Sequence, residues 1–122
     1  MATVGMAAST SPLKVSGATT VQGLEANRLF NQHSKFIDVR VEIDWDAGRV
    51  PGAVHLELTS DFTEAGLLKL VSKDQPVVLY CNGSSCMRSS QASALAVEWG
   101  FKKVFYYRGG FPDWKARGYP VE

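Results

Sequence analysis

Short runs of apolar residues punctuate the chain, each bounded by polar or turn-forming positions. The clearest is Val77-Val78-Leu79-Tyr80, which opens after Pro76 and carries no polar residue on either face. Such a run reads as a strand buried on both sides, as in a parallel sheet covered by helices. Phe36-Ile37-Asp38-Val39, Ala53-Val54-His55-Leu56 and Val104-Phe105-Tyr106-Tyr107 read as further strands. Between them the apolar period changes. Ala92, Leu95, Ala96 and Trp99 share one helical face, which predicts a helix over 88–99 that Gly100 stops. Thr20 is placed to cap a helix running to about Gln32, with Val21, Leu24, Leu29 and Phe30 as its stripe. Phe62, Ala65, Leu67, Leu68 and Leu70 suit a helix or helical turn within 60–72, ahead of Gln75-Pro76. A last short helix is predicted over 111–117, with Pro112 near its start and Gly118 past its end. Residues 40–52 are polar and close in the turn signal Val50-Pro51-Gly52. Strands alternating with helices imply an α/β domain with a central parallel sheet flanked by helices. Residues 18–122 form that single domain. Residues 1–17, small and polar, read as a flexible leader or cloning remnant.

Composition narrows the picture by exclusion. At 122 residues the chain supports one complete hydrophobic core and not two. Thirteen Lys and Arg balance twelve Asp and Glu, for a net charge of +1. That gives no electrostatic case for nucleic acid or for an acidic membrane surface. No apolar run approaches a membrane span, and the start shows no basic, apolar signal segment. The expected compartment is cytoplasmic, although the chain can equally be one domain of a longer protein. Two cysteines are too few for a disulfide scaffold, and His33 and His55 lie far in sequence from them, so neither a metal site nor a cofactor is implied.

Both cysteines fall in one short segment, and there the sequence offers chemistry. Cys81 is the first residue after the strand at 77–80, at the sheet edge where parallel sheets bind ligands. The loop Asn82, Gly83, Ser84, Ser85, Cys86 and Met87 leads directly into a helix that Arg88 opens. Such a loop can turn its backbone N–H groups inward as an anion nest, with a forked cation beside it. A thiol in that setting has a lowered pKa and acts as a nucleophile toward sulfur or phosphorus oxyanions. The bland alternative is a Cys81 that merely fills core space.

The same residues resemble a known family. Phe36-Ile37-Asp38-Val39-Arg40, Gly48-Arg49-Val50-Pro51-Gly52-Ala53-Val54, Val77-Val78-Leu79-Tyr80-Cys81, Arg88-Ser89 and Arg108-Gly109-Gly110-Phe111 with Trp114 occur in the order and spacing of the rhodanese-like (sulfurtransferase) domain. The resemblance implies that Cys81 takes a sulfane sulfur as a persulfide from a small sulfur-containing anion such as thiosulfate or polysulfide. The persulfide is then passed to a thiol or cyanide. It implies that Arg88 closes the loop, that Asn82, Gly83, Ser84, Ser85 and Met87 line the substrate, and that Asp38 and Arg40 support the site. Two departures stand out. Six residues separate Cys81 from Arg88 where the family usually has four, and Arg49 stands where it usually has His. A subset of the family looks similar in carrying a second loop cysteine. In that light Cys86 can resolve the persulfide, protect Cys81, or do neither. Cys86 is not the primary nucleophile, because a single residue separates it from Arg88.

Other readings stay open beside this one. The loop can host phosphorus, as in phosphatases or arsenate reductases, although Tyr80 replaces their usual His and no Asp lies in the loop. The domain can also be a non-catalytic module that senses redox state or docks to a protein partner or a parent multidomain chain. The acidic stretch Asp38, Glu42, Asp44 and Asp46 reads as a solvated loop partnered by Arg40 and Arg49. His33 is expected at the surface, His55 in or near a strand, and the three tryptophans in packing. Arg108, at a strand end on the active edge, is a candidate for attracting an anionic substrate.

Overall fold

The computed structural model describes residues 10–122, so the leader expected over 1–17 lies outside the described residues as far as residue 9. The strands are β1 (Thr19–Val21), β2 (Lys35–Asp38), β3 (Val54–His55), β4 (Pro76–Tyr80) and β5 (Lys103–Tyr107). The helices are α1 (Gly23–Asn31), α2 (Glu42–Ala47), α3 (Glu64–Leu68), α4 (Arg88–Glu98) and α5 (Gly110–Ala116). All strand pairs are parallel, in the order β1-β5-β4-β2-β3. The expected α/β domain with a central parallel sheet is the observed one. Among the described residues no helix is long and apolar enough to cross a membrane.

The two-residue period of β4 explains its unbroken apolar run. Val77 and Leu79 join Ile37, Leu67, Ala92, Ala96 and Val104 in one core. Val78 and Tyr80 join Ala26, Leu29, Phe36 and Trp114 in the other. Each fully buried Val or Leu contributes about 1.5–3 kcal/mol, so both faces of the central strand are committed to helices. A parallel sheet then places every strand's carboxyl end on one edge. Cys81 and Arg108 follow directly from that edge, and Arg40 lies two residues past it.

Several elements differ from the sequence reading, each for a local reason. Thr20 does not cap a helix. It lies in β1, paired with Tyr106, and α1 begins after Gln22, which makes no side-chain cap. Val21 thus belongs to the strand, and Leu24 is 73% exposed, so the buried stripe of α1 is Ala26 and Leu29. Three residues are too few for a periodicity to register. The polar stretch 40–52 contains α2, which buries no residue and therefore has no apolar stripe to betray it. The helix within 60–72 shrinks to α3, whose Gly66 N–H is capped by Thr63 Oγ1 at 3.0 Å. The strand at 53–56 is only β3.

Residues 11–13 are held against the domain rather than free. Ser11 N–H and Oγ both donate to Ser84 O, at 2.7 and 2.9 Å. Tyr106 Oη donates to Pro12 O at 2.7 Å, and Thr20 Oγ1 to Leu13 O at 2.8 Å. This strap crosses the active edge of the sheet, with Ser11 only 3% exposed.

Candidate active site

Cys81 leaves β4 fully buried, and its backbone is fixed before the loop begins. Phe111 N–H donates to Cys81 O at 2.9 Å. Gly110 lies directly against that carbonyl with φ +63°, and any Cβ there would overlap the Cys81 oxygen. Gly83 turns the loop at φ +103°, a backbone conformation open chiefly to glycine. Cys86 N–H then bonds to Gly83 O at 3.0 Å, and the turn carries Cys86 back over Cys81. The two are joined as a disulfide, with Cα atoms 6.4 Å apart.

Ser89, at the start of α4, meets the sulfur twice. Its N–H donates to Cys81 Sγ at 3.3 Å, and its Oγ lies 3.3 Å from the same atom. Both groups are suited to a thiolate once the disulfide is opened. In the sequence Ser89 stands out only as part of the family resemblance. Its signal was position, one residue into the helix that follows the loop.

Asp38 and Arg40 brace the loop from below. Arg40 Nη2 pairs with Asp38 Oδ2 at 2.7 Å, with both side chains buried. Arg40 also donates to Gly48 O at 2.6 Å and to Asn82 Oδ1 at 3.2 Å, and its guanidinium stacks over the Phe111 ring at 4.7 Å. Burial works against the Arg40 charge, but the hydrogen bonds and charge of Asp38 more than offset it and raise its pKa. Asn82 completes the link by donating to Asp44 Oδ2 at 2.7 Å. Tyr80, whose hydroxyl accepts the Val50 N–H, is pushed up first by burial and then by Asp38, so it stays neutral.

Arg88 is spoken for on the other side. Its Nη1 donates to Glu57 Oε2 at 2.6 Å and to Val39 O at 3.1 Å. Glu57, absent from the sequence reading, is a built hub. Its Oε1 accepts from Thr59 N–H and Oγ1 and from Ser60 Oγ. The Thr59 hydrogen bond, followed by Arg88, holds its carboxyl down at about 2. The Thr-Ser pair two residues on was the available signal, but nothing local points to Arg88.

The remaining candidates sort by distance from the sulfur. Ser84 offers its carbonyl to Ser11, while Ser85 and Met87 are exposed at the loop's outer side. The acidic stretch is not one solvated cluster, since Asp38 is buried on Arg40 and Asp44 holds Asn82. Arg49 pairs with Glu122 and stacks on Trp45 instead. His55 Nε2 lies 2.7 Å from Arg40 O, and its ring stacks on Trp45, so it supports the brace without reaching the cysteines. His33 is exposed. Arg108 donates to Ser11 O at 3.1 and 3.3 Å, which makes it an anchor of the strap. Among the described residues no group of three or more His, Cys, Asp or Glu side chains could hold a metal.

The rhodanese-like domain pattern matches residues 22–117, a span running from the start of α1 to the end of α5. The chain belongs to the rhodanese-like domain family. A tRNA uridine(34) hydroxylase of Cronobacter sakazakii is 37% identical over 95 residues, covering 70% of this chain and 26% of that protein. The HTH-type transcriptional regulator Rv0324 of Mycobacterium tuberculosis is 29% identical over 86 residues, covering 70% of this chain and 36% of that protein. The chain thus spans about a quarter to a third of these relatives. Among solved structures, the polysulfide-sulfur transferase homodimer of Wolinella succinogenes superposes with a TM-score of 0.70 at 23% identity, over 98% of this chain and 85% of that one. That likeness speaks to the rhodanese-like fold.

Proposed function

We propose that this rhodanese-like domain is a sulfurtransferase that carries sulfane sulfur on Cys81 and uses Cys86 to resolve it. The observation that carries the reading is the Cys81–Cys86 disulfide, which puts the second thiol within bonding reach of the first. In the first step the Cys81 thiolate attacks the outer sulfur of thiosulfate, giving the Cys81 persulfide and sulfite. A polysulfide serves the same role and leaves shortened by one sulfur. The persulfide then has two exits. An external thiolate or cyanide takes the outer sulfur and regenerates the Cys81 thiolate. Alternatively, the Cys86 thiolate attacks Cys81 Sγ, forms the disulfide and releases hydrosulfide. In the second exit the sulfane sulfur is reduced by two electrons and the cysteine pair is oxidised by two. An external dithiol must reopen the disulfide before the next cycle.

Ser89 N–H and Oγ are the groups placed to stabilise the Cys81 thiolate. Asp38 and Arg40 act through Asn82 and hold the loop in place. Arg88 serves loop closure through Glu57. The phosphatase reading loses support, because Arg88 Nη1 is held by the Glu57 carboxylate and Val39 O, away from the loop. The disulfide also favours a second reading, a redox-sensing module that signals to a partner or to a parent chain. Relatives in which such a domain is a minor part of the chain agree with a protein partner.

Intact-mass analysis of the reduced protein after thiosulfate or polysulfide treatment tests the proposal. The Cys86→Ser variant should hold one added sulfur, and Cys81→Ser none. The unsubstituted chain should proceed to the disulfide with release of sulfide. Equal sulfur uptake by Cys81→Ser would overturn the assignment, and disulfide formation by mild oxidant with no sulfur uptake at all would favour the sensor.

A further inference from the structure

Beside the loop, on the same edge of the sheet, lies a cleft of about 470 Å³. The strap, the end of β1, the residues after β5 and α5 form its walls, and Lys14, Gln22, Arg108, Gly109, Asp113 and Arg117 supply its polar lining. The charges there do not cancel. Asp113 Oδ2 already accepts Tyr107 Oη at 2.7 Å and Arg117 Nε at 2.9 Å, so its charge is spent on Arg117. Among the described residues neither Lys14 nor Arg108 takes part in an ion pair. Two cations without a carboxylate partner thus line one cleft, Arg108 with its Nε and Nη2 on Ser11 O and its Nη1 left over, in a chain whose whole net charge is +1.

The cleft adjoins the cysteines through backbone on two sides. Gly109 forms part of its wall, and the next two residues, Gly110 and Phe111, pack on and bond to Cys81 O. Lys14 belongs to the strap whose Ser11 caps Ser84. The volume lies in the range that holds small organic molecules, which exceeds the needs of an inorganic oxyanion. Leu13 and Val21 give it an apolar wall as well.

We propose that this cleft binds a small organic dianion, a dicarboxylate in its simplest form, between Lys14 and Arg108. Its use rests on the sulfur-carrier reading: the dianion is the tail of the acceptor, whose thiol reaches over the Gly109–Gly110 turn to the loop. The acceptor thiolate attacks the outer sulfur of the Cys81 persulfide, gains it as its own persulfide and leaves the Cys81 thiolate. No oxidant or reductant is consumed.

Binding is read without turnover by titrating the oxidised protein with succinate and following backbone amide shifts. Saturable shifts at Lys14, Gln22 and Gly109 are expected. Reversing one of two cations should weaken binding about tenfold in Lys14→Glu, and Lys14→Gln should lie between. Absence of saturation, shifts confined to residues 82–87, or equal affinity for inorganic phosphate would each overturn the site. Transfer is read separately, as persulfide discharge from the Cys86→Ser variant to mercaptosuccinate and to 2-mercaptoethanol. Mercaptosuccinate should be the faster acceptor, and Lys14→Glu should narrow its advantage about tenfold; an unchanged ratio would refute the acceptor role. If Cys81 never loads sulfur, the sulfur-carrier reading fails while succinate binding still stands. If Cys81 loads and succinate does not bind, the cleft assignment alone fails.

Discussion

Arg88 and Glu57, 31 residues apart in the chain, are joined by a 2.6 Å ion pair that ties the start of α4 to the segment after β3. The loop between Cys81 and Arg88 is therefore closed from outside, by a carboxylate on a different element. Three hydrogen bonds from Thr59 and Ser60 hold that carboxylate in place before Arg88 reaches it.

The pair has a pH signature. With Thr59 and Arg88 holding it, the Glu57 carboxyl titrates at about 2, against 4.5 for an unperturbed group. A depressed carboxylate stabilises the folded state fully above its unfolded value, and that stability disappears as pH falls toward the folded value. Glu57→Gln keeps the acceptor oxygen and removes the charge. It should cost about 0.5–1 kcal/mol near neutral pH, as partly exposed pairs do. Urea unfolding should show a constant gap between the two proteins from pH 7 to 5, shrinking below about 4.5 and closing near 2. A gap that persists unchanged at pH 3 would mean that the charge is not what Glu57 contributes.

What was legible before the fold was known follows from how far each signal extends along the chain. β4 and α4 announce themselves, one by an unbroken apolar run and the other by a single repeating face. Their junction placed Cys81 correctly on the sheet edge. The brace was half legible: Asp38 and Arg40 matched a family element, but their bond to Asn82 spans 42 residues and has no local mark. Glu57 and Ser11 were missed for the same reason, since each matters only through a partner distant in sequence. β1 was hidden by its length, and α2 by its lack of any buried residue.

The Asp38–Arg40 pair is fully interior, so breaking it should be costly. Asp38→Asn leaves a buried guanidinium without its counter-ion, and such losses run to about 3–5 kcal/mol. Equilibrium unfolding in denaturant should show that drop. A loss below about 1 kcal/mol would mean that Gly48 O and Asn82 alone can satisfy Arg40.

Gly110 and Gly118 allow the cost of a backbone conformation to be separated from the cost of a collision. Both have positive φ, at +63° and +79°. A Cβ at Gly118 meets nothing within 4 Å, whereas at Gly110 it runs into the Cys81 carbonyl. Gly118→Ala should therefore cost only the conformational penalty, about 1–2 kcal/mol. Gly110→Ala should cost clearly more, lower the melting temperature by roughly 5–10 °C and slow closure of the Cys81–Cys86 disulfide. Equal melting temperatures for the two variants would show that the Gly110 turn can shift off the loop without consequence.

Ser89 gives the most direct test of how Cys81 is activated. In the disulfide-bonded structure its hydroxyl and N–H are both 3.3 Å from the sulfur, and both can donate to the thiolate once the disulfide is opened. Removing the hydroxyl leaves the N–H in place and takes away one hydrogen bond to a charged group, worth about 1.5–3 kcal/mol. The thiol pKa should then rise by about one to two units. The measurement is the rate of iodoacetamide alkylation against pH, made in the Cys86→Ser background so that only Cys81 reacts. Ser89→Ala should move the inflection to higher pH and leave the plateau rate at high pH nearly unchanged, because the thiolate itself remains the nucleophile. If the inflection stays where it was, the hydroxyl is satisfied elsewhere once the disulfide opens, and the N–H together with the loop must account for the reactivity of Cys81.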